Sequence, residues 1–183
     1  MYGKFGNHIQ ESGKVGWAEQ LKVDVMNGRK AKLGSNHPHT LNSMGNLAVT
    51  YMNQGRWDEA EKLLVDVMNG RKAKLGPNHP HTLTSMANLT AAYTNQGRWD
   101  KAEKLLVDVM NGRKAKLGSN HPDTLTSMAN LAYAYWHQGR LDAAHSLLLP
   151  VVNTMQQVMG TQHPTVLCYI EGLKQLSKAR RHK

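Results

Sequence analysis

Two histidines stand two residues apart at His37 and His39, and again at His79 and His81, each pair around a proline. Imidazoles recurring along one edge have the spacing to hold zinc. The same His-Pro-His stretch can instead start a helix. A third occurrence reads His121-Pro122-Asp123, which removes a histidine from the set, so neither a metal nor a cofactor is expected. Met44, Met86 and Met128 recur at one position and read as core residues rather than a ligand set. Cys168 is the single cysteine; with no partner for an internal disulfide it fits a reducing, cytoplasmic compartment. No nucleophile–base constellation, phosphate-binding loop or dinucleotide fingerprint is present, and the chain is expected not to be an enzyme.

The remaining candidates are residues of recognition. Asn46, Asn88 and Asn130 share one register, 42 residues apart. An amide offers both donors and an acceptor. A column of amides can bind the backbone of an extended peptide without reading its side chains, or bond a neighbouring helix and hold the array together. Asn53 and Asn95 either continue such a polar lining or cap a helix beside Gly55 and Gly97. Tyr133 and Trp136 are the candidate side-chain anchors, because aromatic residues dominate interface energetics.

The elements that must position these residues follow from an internal repeat. Residues 37–78 recur at 79–120, differing only at positions 42, 45, 48, 49, 50, 52, 59 and 77. A third copy, 121–162, drifts after Gln138, and a fourth begins at His163 and stops halfway. Such a period implies stacked supersecondary units. Within one unit, Leu41, Met44, Leu47, Ala48 and Tyr51 lie on one face of a helix, helix A, predicted over Pro38–Gln54. Pro38 suits its first position and Gly55 its end. Helix B is predicted over Trp57–Leu75, with acidic residues early, basic residues late and Gly76 as its stop. The reading is all-α: a right-handed α-solenoid of antiparallel helix pairs, each burying its apolar face against its neighbours.

The spacing Leu47–Tyr51–Gly55–Trp57–Ala60–Leu64 resembles the tetratricopeptide repeat. The 42-residue form, with its Asn-Leu-Ala, Gln-Gly-Arg and Leu-Gly…His-Pro elements, is similar to the repeats of kinesin light chains. It is also similar to the C-terminal arrays of fungal NB-ARC-type sensor proteins. The resemblance covers about residues 13–178. It implies a TPR-like superhelix whose A helices line a concave groove, an asparagine ladder at Asn46, Asn88 and Asn130, and recognition tied to assembly of a larger protein. Six of the eight positions at which repeats one and two differ lie in helix A. They read either as tuned recognition or as drift at exposed sites.

The ends depart from the pattern. Residues 1–36 form a partial repeat in which 13–33 match helix B, while 1–12 match at most a shortened helix A. Residues 163–183 are a half repeat, with a helix predicted over Pro164–Lys178 and a basic tail that caps the array. Gly70 and Gly112 are expected to bend or fray helix B, and Pro150 to kink its third copy near Ser146–Pro150. The net charge is +10 and the mean hydropathy −0.56. No apolar run reaches the roughly 18 residues of a membrane span, so no membrane partner is expected. Three functions compete. The first is a scaffold binding a protein or peptide in the groove. The second is a homo-oligomer built head to tail through the two half repeats. The third, polyanion binding through the recurring Arg-Lys-Ala-Lys stretches, lacks the interleaved aromatics of single-strand nucleic-acid sites.

Overall fold

The computed structural model describes the backbone of residues 3–181 and the side chains of residues 16–181. Among the described residues there are eight helices and no strand. Helix α1 (Gly3–Leu33) is followed by three hairpins: α2 (Pro38–Asn53) with α3 (Trp57–Leu75), α4 (Pro80–Asn95) with α5 (Trp99–Leu117), and α6 (Pro122–His137) with α7 (Leu141–Met159). Helix α8 (Pro164–Arg181) closes the order. The even-numbered helices are the predicted A helices and the odd-numbered ones the B helices, in a TPR-like solenoid. The chain forms two compact units, residues 1–76 and 77–183.

Each A helix opens on a histidine. The Nδ1 atoms of His37, His79 and His121 accept the backbone N–H two residues on, at 3.2, 3.2 and 3.1 Å. His163 does the same for Thr165 at 3.2 Å. These rings satisfy N–H groups that a helix start otherwise leaves without an intrahelical partner. The His-Pro repeat is thus a capping device. Each hairpin turns on Gly55, Gly97 or Gly139, whose φ of 73°, 69° and 75° lies in the left-handed region. The arginine that follows stacks back over the A-helix tyrosine: Arg56 on Tyr51 at 4.1 Å and Arg140 on Tyr135 at 4.0 Å.

Residues 3–12, which match at most a shortened helix A, run on into the helix-B-like segment within α1; residues 1 and 2 lie outside the described residues. One expectation, that glycines fray helix B, needs correction. Gly70 and Gly112 do not end or interrupt α3 and α5. They are buried because helix A comes close: a Cβ on Gly70 would lie 2.9 Å from Leu41 Cδ2, and one on Gly112 2.8 Å from Leu83 Cδ2. Pro150 sits within α7, which continues to Met159. The carbonyl it deprives of a partner is that of Ser146, an exposed residue, where water can take over the bond.

In two copies the arginine of Arg-Lys-Ala-Lys ties a B helix to the next A helix. Arg29 donates to Ser43 Oγ at 2.7 Å and to the His39 carbonyl at 3.3 Å. Arg113 donates to Ser127 Oγ at 2.9 Å and to the Asp123 carbonyl at 3.1 Å. In the last repeat the matching residues are Met155 and Tyr169, and the join is apolar: Met155 is fully buried and Tyr169 packs on its cluster.

Candidate functional site

Asn46, Asn88 and Asn130 all lie mid-helix on A helices, but they are not buried as a structural role would require. Asn46 and Asn130 are exposed and Asn88 is half-buried. Among the described residues none of the three side chains has a hydrogen-bond partner. Helix interiors do not favour asparagine, so these amides cost some helical stability without a bond in return. Asn95 donates to the Ala91 carbonyl of its own helix at 2.8 Å, and Asn53 is an exposed residue at the end of α2.

The second unit gathers three of the predicted residues around one cleft. Asn130, Tyr133 and Trp136 project from α6, Tyr169, Gly172 and Gln175 face them from α8, and Leu148 of α7 forms part of the floor. The cleft holds about 420 Å³. Its walls are largely apolar, with a few polar groups in position to orient a ligand, as binding clefts commonly have. Glu171 lines the cleft; it accepts from Gln175 at 3.3 Å, and Lys174 lies 3.9 Å away. Burial holds the Tyr169 phenol above its usual range despite a hydrogen bond with Thr126, so it stays neutral at neutral pH.

Gly172 explains why the cleft is open. It occupies the asparagine register on α8, and a Cβ there would meet nothing within 4 Å. Tyr133 is 51% exposed and is held in place by aromatic neighbours. Its ring meets that of His137 at 4.4 Å and 67°, and that of Trp136 at 6.4 Å and 84°. His137 in turn stacks on Trp99 of α5 at 4.1 Å and 6°. Edge-to-face and offset pairs of this kind are worth about 0.5–1.5 kcal/mol beyond their burial, enough to fix an anchor before a ligand arrives. Trp136 packs on the core cluster of α6, α7 and α8.

Asn88, Asn95, Asn46 and Asn53 do not line this cleft. The sequence reading misses Tyr169, Glu171 and Gln175, which carry no repeat signature because α8 has diverged. Adding one period to Asn130 and Tyr133 gives Gly172 and Gln175, and that step could have found the opposite wall.

Comparison with known proteins follows from this geometry. A family model for the tetratricopeptide repeat matches residues 39–115 and 91–157. No curated protein matches the chain. Among solved structures, a kinesin-light-chain-like array of nearly identical TPR-like repeats from Podosopora anserina superposes with a TM-score of 0.82 at 30% identity. That match covers 98% of this chain and 85% of the other. A variant of the same array gives 0.83 at 31% identity with the same coverage. BtubC (BKLC) from P. vanneervenii shares the fold, with a TM-score of 0.80 at 18% identity over 93% of this chain and 68% of its own.

Proposed function

From the premise that the chain belongs to the tetratricopeptide repeat family, we propose that it is a non-catalytic scaffold that receives a peptide or partner segment in the cleft between α6 and α8. The family's fold commonly mediates protein–protein interaction. The observation that carries the reading here is the cleft itself, where Tyr133, Trp136 and an amide without a partner, Asn130, face a wall left open at Gly172. An apolar side chain of the partner enters the cleft, and Asn130 bonds its backbone. Asn46 and Asn88, which also have no side-chain partner among the described residues, stand in the same register on their own helices.

Polyanion binding has less support, because the arginines Arg29 and Arg113 are taken up in holding consecutive helices together. That leaves the lysines as the free charge at those helix ends.

The test is selection from a random peptide library against the whole chain, followed by titration of the selected peptide. Trp136→Ala is expected to weaken binding at least tenfold, the size of a central aromatic anchor. Asn130→Ala is expected to weaken it less and without regard to peptide side chains. Binding unchanged by both substitutions, or lost steeply on adding salt, would reject the cleft.

A further inference from the structure

Every internal hairpin buries the same contact. In the first, Leu41 and Met44 of α2 close over Val67 of α3, with Leu63 packed beside them. The leucine of this contact is almost fully buried in each repeat, at 3% for Leu41, 4% for Leu83 and 3% for Leu125. So is the valine, at 2% for Val67, 1% for Val109 and 0% for Val151. Ala60, Ala102 and Ala144, about two turns earlier on the B helix, are wholly buried.

Both halves of this contact also occur singly. Helix α1 is a B helix whose matching residues Ala18, Leu21 and Val25 are exposed, with Leu21 at 65% and Val25 at 40%. Helix α8 is an A helix whose matching leucine, Leu167, is 46% exposed. The glycines point the same way. Gly70 and Gly112 receive the methyls of Leu41 and Leu83, whereas Gly28, in the same register on α1, has nothing within 4 Å of its would-be Cβ. A helix-interior glycine costs about 1 kcal/mol relative to alanine. In the internal repeats a seated leucine accounts for it; at Gly28 the seat is empty.

We propose that the exposed face of α1 receives α8 of a second copy of this chain, Leu167 seating against Gly28 and Val25, so that two half repeats complete one hairpin between molecules. This surface is separate from the cleft between α6 and α8 and does not depend on the function assigned to it.

Two lysines stand where internal repeats bury uncharged residues: Lys22 at the Leu64 register and Lys174 at the Ala48 register. Lys22 is turned onto α2, where its ammonium donates to Thr50 Oγ1 at 2.6 Å. The Lys174 ammonium lies toward Glu171 at 3.9 Å. Their stems remain at the junction and their charges lie at its rim, which makes this contact weaker than an internal one and reversible. With a net charge of +10 on each copy, added salt screens repulsion and strengthens the association.

The contact is heterologous: each copy offers one head and one tail. That makes the test decisive. Light scattering across a wide concentration range should show the mass of the wild-type chain climbing, more so at high salt. Gly28→Glu blocks the α1 face and Leu167→Glu blocks the α8 face. Both positions are open or exposed, so both variants keep the monomer's helical circular dichroism, and each is expected to stay monomeric. Mixed in equal amounts, they retain one intact head and one intact tail and should form a dimer and nothing larger. Lys174→Ala is expected to raise the mass at a given concentration. Leu117→Glu, an equal charge change at an exposed leucine elsewhere, should leave association unchanged. A wild-type mass fixed at the monomer, a single variant that still associates, or a mixture that does not dimerise would overturn the proposal.

Discussion

The most informative single residue in the core is a threonine. Thr40 and Thr124 are fully buried, and their hydroxyls have no hydrogen-bond partner among the described residues. At the same register in α8 the chain carries Val166, also fully buried. A buried hydroxyl without a partner costs stability, and replacing it by an apolar group of the same shape removes that cost. Thr124→Val should therefore raise the urea midpoint, corresponding to about 1 kcal/mol; a lowered midpoint would show that the hydroxyl is satisfied. Carboxylates give a second residue-scale prediction. Hydrogen bonds from Gln54 and then Arg56 hold Glu19 below its usual range. Partial burial opposes ionisation of Glu103, but bonds from Gln138 and Arg140 outweigh it and lower its value too. Because both carboxyls titrate lower when folded, their contribution is present above the unfolded value of about 4.3 and is lost as pH falls through the folded values. Denaturation midpoints at pH 6 and pH 3 should differ less in Glu103→Gln than in wild type. The effect is modest, because Arg140 is half in water.

At the level of the helix, one glycine register gives opposite outcomes in different surroundings. Gly28→Ala meets open space and should stabilise the chain by about 1 kcal/mol through helix propensity. Gly70→Ala puts a methyl 2.9 Å from Leu41 Cδ2 and 3.1 Å from Asn36 Oδ1. Crowding there should cancel the same gain, and equal melting temperatures for the two variants would contradict that account. The helices themselves were legible in the sequence because apolar period, proline starts and glycine stops agree. The helix B prediction of Trp57–Leu75 matches α3 at both ends, the helix A prediction of Pro38–Gln54 overruns α2 by one residue, and that of Pro164–Lys178 stops three residues short of the end of α8. What the periodicity could not show was how near neighbouring helices come. For that reason Gly70 read as a bend or a frayed turn, and not as a close approach. The candidate site was legible only on its α6 side, where the aromatics Tyr133 and Trp136 break the pattern of earlier repeats. Its α8 side depends on residues that resemble no other copy.

Across the whole molecule, the near-identity of the repeats carries a cost that no static contact reveals. Leu41 and Leu83 occupy the same register on their A helices, and Gly70 and Gly112 offer nearly the same seat on their B helices. During folding, a segment that pairs with the wrong copy gains nearly what the right one would provide, and such near-degenerate states roughen a landscape. The join between α7 and α8 is different. Arg29 and Ser43, like Arg113 and Ser127, form a polar pair that fits either copy, but Met155 and Tyr169, which packs on its cluster, stand at registers where the other copies carry arginine and serine. A chain that closes this apolar join first has its register counted from one end, and each preceding hairpin then has a single place left to go.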